Sequence, residues 1–362
     1  TTITIKANYI LKATSGNYTF TGTTTQLISE RKLNLEAGNY ILSGATIAIK
    51  YDYLLSPETG NYTLAGTSIS FKRAYVLKID SGIFALSSLA IAIRANGRLP
   101  IGIGNYALTG TEISIQRAYI ISLDGGAFTL SGSSILFKIG YNLFTGTGSY
   151  SLTGTSAQFI WAHRLLIKSG SYIFSGENIN FQISRIVLLY AGNYSLSPRE
   201  AKLLRRYTLL TDTTQFILTG SNIAFSRAYA LQPDSANFIF TGSDIAFKQT
   251  YVLKSDIANF ILTGSPTELK TSRKLTANSS SYNLFGTGIN FNIFYRLLSA
   301  IGSYALSRED ANLIALHVLP LVNGNYTLSG KSAYLNISFN LLLDSGNYNL
   351  LGSHTNLLLS YI

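Results

Sequence analysis

The 362-residue chain is 46% hydrophobic, 12% aromatic and only 12% charged, with 28 Lys and Arg against 17 Asp and Glu for a formal net charge of +11. It has no Cys, which excludes a disulfide scaffold, a thiol nucleophile and every Cys-based metal or cluster site, while the evenly spread apolar content argues against disorder. No run approaches ~18 apolar residues, so no membrane helix is expected. The start at Thr1-Thr2 suits removal of an initiator Met and equally an engineered or processed start; no charged segment with an apolar core follows it, so no secretory signal is visible in the sequence, which fits a cleaved one as well.

From the first residues onward the chain repeats itself. An aromatic residue followed two places later by Leu or Phe stands at Tyr18, Tyr40, Tyr62, Phe84, Tyr106, Phe128, Tyr150, Tyr172, Tyr194, Phe216, Phe238, Phe260, Tyr282, Tyr304, Tyr326 and Tyr348. Every step is 22 residues, with no insertion or deletion. The chain therefore reads as a single repeat array over 1–362, with a partial first coil at 1–17, repeats over 18–347 and a partial last coil at 348–362.

Each unit is numbered here from its aromatic as position 0. Position 2 is always Leu or Phe, position 7 is often Ile, as in Ile47, Ile69, Ile113 and Ile245, and position 9 is always Leu, Ile or Phe, from Ile5 to Leu357. Position 13 is mostly Tyr (Tyr9, Tyr53, Tyr75, Tyr119, Tyr141, Tyr207, Tyr229, Tyr251, Tyr295, Tyr361), and position 15 is always aliphatic, from Leu11 to Leu341. Apolar residues two apart are the signature of strands with one face inward. The spacing thus predicts, in chain order within each unit, short strands around 0–2, 7–9 and 13–15, with positions 1, 3 and 8 outward. Gly fills position 4 in thirteen units and position 20 in twelve, which predicts corners built on positive backbone angles. All six prolines, Pro57, Pro100, Pro198, Pro233, Pro266 and Pro320, fall in those predicted corners. The irregular position 12 (Glu30, Ala74, Asn96, Gly140, Arg206) fits a bend between the second and third strands.

Two all-β architectures fit this period: a β-solenoid (β-helix) of about sixteen 22-residue coils with three short strands per coil, and a meander of repeated β-hairpins. The solenoid is favoured, because a meander wants paired strands of matching length. In a solenoid identical positions stack at ~4.8 Å, giving a rod on the order of 75 Å long. Tyr62, Phe84, Tyr106, Phe128, Tyr150 and Tyr172 then form an internal aromatic column. Neither end shows a polar cap, so end-to-end or subunit-to-subunit pairing of strand edges is expected.

Three units lack Gly at position 4 and carry Ser88, Pro198 and Arg308 instead, each 110 residues from the next. Ser197-Pro198-Arg199-Glu200 and Ser307-Arg308-Glu309-Asp310 resemble tight-turn or helix-start sequences. These corners are candidate protruding contact points, or corners that have drifted.

The basic excess is periodic. Lys50, Lys72, Arg94, Lys138, Lys248 and Lys270 share position 10, and Arg73, Arg117, Arg205 and Arg227 share position 11. Stacking would make these a basic stripe. Such a stripe suits contact with an acidic partner such as an anionic cell-surface polysaccharide, and it also serves to solubilise and protect a sheet edge. Nucleic acid is a poor fit, since the tyrosine columns face inward rather than offering stacking platforms.

Little else in the chain suggests chemistry. His163 and His317 replace Tyr at position 13 and His354 stands alone at a corner, so no metal and no cofactor is expected. Asp80, Asp124, Asp234, Asp256 and Asp344 lie near predicted corners, where Asp is commonly a turn residue. Gly102-Ile103-Gly104 lacks the helix and Lys of a phosphate loop. The Asn-x-Thr/Ser triplets at Asn17, Asn61, Asn193 and Asn325 follow from the repeat itself. An enzyme is not expected.

The units Gly104-Asn105-Tyr106-Ala107-Leu108-Thr109-Gly110 and Gly148-Ser149-Tyr150-Ser151-Leu152-Thr153-Gly154 resemble the tandem G-x-Y-x-L-T-G repeats of proteins found among the structural and tail genes of tailed bacteriophages. The resemblance spans nearly the whole chain. Ala258-Asn259-Phe260 and the three units without the second Gly depart from it. It implies a non-enzymatic virion structural protein, a tail or fibre component that self-assembles, joins other virion proteins and touches the host surface. It carries no catalytic residues. A bacterial adhesin, extracellular fibre or functional-amyloid matrix protein at the cell surface is the alternative expectation.

Overall fold

The computed structural model describes residues 1–359 except 8–9, 30–31, 52–53, 58, 74–75, 78–81, 96–97, 118–119, 140–141, 162–163, 184–185, 206–207, 212–213, 228–229, 234, 250–251, 256, 272–273, 278–280, 294–295, 300–302, 316–317, 322–323, 338–339 and 344. The described residues are almost all strand, and none is helical. Two compact units divide the chain, Thr1–Ile183 and Ser184–Ile362.

Both units are β-solenoids. In the first, the strands pair in parallel with partners 22 residues on, as in Ile5↔Leu27, Tyr40↔Tyr62, Phe84↔Tyr106 and Tyr150↔Tyr172. The second repeats this with Tyr194↔Phe216, Phe238↔Phe260, Tyr282↔Tyr304 and Tyr326↔Tyr348. Parallel pairing at this offset rules out the hairpin meander, whose neighbouring strands would run antiparallel.

Within a coil the described strand runs from position 20 through position 11 and resumes at position 14. In several coils the first two sides fuse into one strand, as in Gly38–Tyr51, Gly60–Arg73 and Gly170–Ile183. Asn142–Trp161 spans 20 residues. Fusion occurs because the corner residues pair as well, Gly44 with Gly66 and Gly154 with Gly176, so the ladder turns the corner unbroken. Elsewhere the corner leaves the ladder, and Gly110 and Gly132 donate to Ser131 and Thr153 carbonyls at 2.9 and 3.0 Å. The third side is short, as in Leu54–Pro57 and Arg164–Ile167. The position-12 bend, the position-13 tyrosines, His163 and His317 lie outside the described residues, and the position-15 side chains outside the described side chains.

The core follows the repeat. Positions 0, 2, 7 and 9 are buried in most described coils, represented by Tyr62, Leu64, Ile69 and Phe71 at 4%, 2%, 0% and 1% exposure, and open up towards the last coil, where Leu350 is 37% exposed. Position 17 is buried too, at Leu123, Thr145 and Ile167, where a corner was expected. The third strand therefore runs two residues further, and prolines expected at corners sit in strands: Pro100 in Arg98–Thr109, Pro320 in Val318–Leu321, and Pro57 and Pro233 as last strand residues. Each costs the ladder one N–H. Pro198 lies at a corner that the strand Gly192–Arg205 passes through.

The glycines have a different cause from the expected one. Among the described glycines positive φ occurs at Gly82, Gly126, Gly176 and Gly286. At most of the others the limit is space between coils. A Cβ on Gly44 would lie 2.1 Å from the Gly22 carbonyl oxygen, and one on Gly38 would lie 2.3 Å from that of Gly16. Both glycine columns are places where one backbone rests on the next.

Candidate functional site

The coil interior is closed to partners. Tyr62, Phe84, Tyr106, Phe128, Tyr150 and Tyr172 are all buried. The tyrosine hydroxyls reach backbone carbonyls at positions 17 and 18 of the same or preceding turn: Tyr40 donates to Glu36 at 3.0 Å, Tyr106 to Gly102 at 3.2 Å and Tyr150 to Leu123 at 3.2 Å. Tyr172 meets the Thr145 hydroxyl at 2.8 Å. Anchored neighbours lie flat on each other, Tyr40 on Tyr62 at 5.0 Å and 3°, and Tyr150 on Tyr172 at 4.7 Å and 1°. Where Phe intervenes in the first unit the rings tilt, by 44° for Tyr62–Phe84 and 41° for Tyr106–Phe128, while in the second unit Tyr194 and Phe216 stay closer to parallel at 29°. The missing hydroxyl frees the ring to turn. Burial, with the Asp124 carboxylate nearby, pushes the Tyr150 phenol up to about 12. Burial also raises Tyr172, by more than the Thr145 hydrogen bond lowers it.

Function must therefore lie on the outward faces. In the first unit Lys50, Lys72, Arg94 and Lys138 are exposed at position 10. Lys50 pairs with Lys72 and Lys72 with Arg94, so three cations stack in consecutive coils. Gln116 then separates Arg94 from Lys138. At position 11 Arg73 and Arg117 flank Ala95 in the ladder. In the second unit Lys248 and Lys270 are ladder neighbours, and Arg227 pairs with Arg205 on one side and Gln249 on the other. The side chains of Arg73, Arg117, Arg227, Lys248 and Lys270 lie outside the described ones. The stripe is thus a short run in the first unit and two register pairs in the second.

The corner at positions 3–5 forms an open groove in each unit. That of the first unit encloses about 850 Å³ over Gly66, Ser88, Gly110, Gly132, Gly154 and Gly176. That of the second encloses about 800 Å³ over Pro198, Gly220, Gly242, Gly264 and Gly286. Ser88 and Pro198 do not protrude as expected. Both are buried in the groove floor, where Ser88 donates to the Ala90 carbonyl at 3.0 Å, and the outward residues beside them are Leu89 and Arg199. Glu200 is half-buried. Arg308, Glu309 and Asp310 continue the strand Ser303–Ala315, with Arg308 paired to Gly286 and Gly330, and their side chains lie outside the described ones.

A third surface was not singled out in the sequence. Positions 21, 1 and 3 point outward from the first side of each coil, and none holds Asp, Glu, Lys or Arg in any unit. Amide ladders run along it: Asn61 donates to Asn39 at 3.0 Å, Asn259 to Asn237 at 3.1 Å and Asn347 to Asn325 at 3.1 Å. Hydroxyls of Thr153 and Ser175 pair at 3.2 Å. Reading charge down each repeat position, instead of along the chain, would have found this surface.

Among the described residues no group of three or more His, Asp or Glu is placed to hold a metal ion. Asp124 and His354 are exposed strand residues, whereas Asp80, Asp234, Asp256 and Asp344 lie outside the described ones. No helix among the described residues is long and apolar enough to cross a membrane. No family model, curated protein or solved structure matches the chain.

Proposed function

We propose that the protein is a non-enzymatic structural component of a tailed-bacteriophage particle, a tail or fibre protein that assembles with copies of itself and with other virion proteins. The observation that carries this reading is the repeat. The G-x-Y-x-L-T-G unit, which resembles that of phage structural proteins, folds as a parallel ladder in which each coil is the template for the next. Such an array makes extended surface from one short motif. The stacked cations Lys50, Lys72 and Arg94 give the host-contact role a chemistry, attraction to anionic cell-surface polysaccharide.

A bacterial surface fibre, adhesin or amyloid-like matrix protein is the second reading. It is favoured by the amide ladder at Asn39–Asn61 and the flat ring stack of Tyr150 on Tyr172 at 4.7 Å, both features of cross-β assemblies. Immunogold electron microscopy on the native source decides between them. Label on phage particles is the expected result, and its position separates tail, fibre and head roles. Label on cell-attached or free filaments rejects the virion assignment in favour of the second reading.

A further inference from the structure

In the second unit the uncharged outward face has a particular relief. Ile217 pairs with Ile239 and Ile239 with Ile261, so three isoleucines at position 1 form a ridge across consecutive coils. On one flank lies the Asn237–Asn259 amide ladder, on the other the column containing exposed Thr241. The isoleucines are half-exposed, although each has neighbours in the coils on both sides.

Stacking repulsion disfavours like charges at every outward position, but it does not by itself remove them. Position 10 tolerates Lys50, Lys72 and Arg94 one above another. Nor does exposure explain their absence, since positions 21, 1 and 3 are at least partly exposed in every unit. Close approach to another surface does explain it, because a Lys or Glu there would be stripped of water without a partner. Two copies of a chain carrying +11 repel each other, and they meet at least cost where neither presents charge. Size agrees. From the rung of Tyr194 to that of Tyr348 the face measures ~34 Å, by ~17 Å across the five residues from position 21 to position 3, or ~570 Å² per partner, near the ~600 Å² at which specific interfaces begin.

We infer that this face of the second unit, centred on Ile217, Ile239 and Ile261, is where a second copy of the chain docks face to face. It rests on the self-assembly part of the proposed function and says which surface carries it. Like faces meet about a two-fold axis, with opposed isoleucine ridges packing between amide and hydroxyl ladders, as in a dry sheet-to-sheet contact. Exposed aromatic platforms are scarce on this face, with Phe285 at 41% exposure the main exception, which makes a second sheet a better occupant than a glycan.

The test is sedimentation equilibrium on the full chain, with Ile239→Lys, Thr241→Lys and, as a control on the other face, Lys72→Gln. The wild-type chain and Lys72→Gln should associate reversibly. Ile239→Lys and Thr241→Lys should weaken association by about 100-fold or more, through like charges forced together across the contact, with unchanged unfolding midpoints. Should Ile239→Lys fail to fold, Thr241→Lys at its exposed site decides. A wild-type chain that stays monomeric at every concentration overturns the inference, whether or not it binds an anionic polysaccharide. So does association that both lysine variants leave intact, which places the contact elsewhere, coil ends included. Monomeric protein with immunogold label on virions would sink this interface alone, whereas association without that label would sink the virion reading alone.

Discussion

The outward face at positions 21, 1 and 3 and the outward face at position 10 belong to the same coils of the first unit, separated by one glycine corner. One stacks Lys50, Lys72 and Arg94, while the other holds no charge in any coil and lays Asn61 against Asn39. Identical stacking geometry thus supports opposite surface chemistry. In a β-solenoid the inward positions are dictated by packing, and the outward ones are left open for function. A charged column is destabilised by its own repulsion and so points to an external reason for its presence. An uncharged face on a basic chain points to something that covers it.

The largest effect should come from breaking the interior that both faces share. Leu152, at 3% exposure, replaced by Asp would bury an unpaired charge and cost about 3–5 kcal/mol, read from urea or thermal unfolding. An unchanged midpoint would show that position 2 does not face inward. Next comes the corner that separates the faces. Gly44→Ala forces a Cβ to 2.1 Å from the Gly22 oxygen and should cost about 1–3 kcal/mol. Thr63→Ala, outward on the uncharged face, should stay within about 0.5 kcal/mol. Equal losses at the two sites would remove the coil-contact explanation of the glycine columns.

Tyr172→Phe should lose about 1–2 kcal/mol with the hydroxyl bond to Thr145 and let the ring tilt as the phenylalanines do. The phenols also set an alkaline limit. Tyr150 ionises near 10 when unfolded and at about 12 in the fold, so its contribution is complete below pH 10 and is lost as pH rises from 10 towards 12. A midpoint that is flat across that window would contradict its burial. The smallest effect compares the two faces directly. Lys72→Gln removes the middle of three stacked cations and should raise the unfolding midpoint slightly at low salt. The gain should vanish at high salt, where the repulsion is screened. A gain that persists at high salt would mean that Lys72 is unfavourable for a reason other than charge.

The sequence was most legible where apolar residues repeat in register. Positions 0, 2 and 9 are uniformly apolar and position 7 is often Ile, so the inward set, the 22-residue register and the solenoid followed from spacing alone. Position 17 was illegible because it mixes Leu123, Thr145, Ile167, Pro57 and Pro233, so its column shows no shared polarity. The glycines were visible but their reason was not, since sequence cannot tell a demand for positive φ from a lack of room beside Gly22. Ser88 and Pro198 looked like outward variants because they break a pattern, yet both fill the inside of their corners. The uncharged face was missed because an absence spread over the whole chain makes no local motif.

The ladder's fixed offset also makes the chain a ruler. One residue inserted within a strand would turn the inward side chains that follow it in that coil outward, unless the extra residue bulges out at a corner. Gain or loss of a whole repeat leaves every remaining contact type intact. Length in such a gene changes in steps of one coil, ~4.8 Å at a time. Crossing-over between repeats in register is the event that would move it from one graduation to the next.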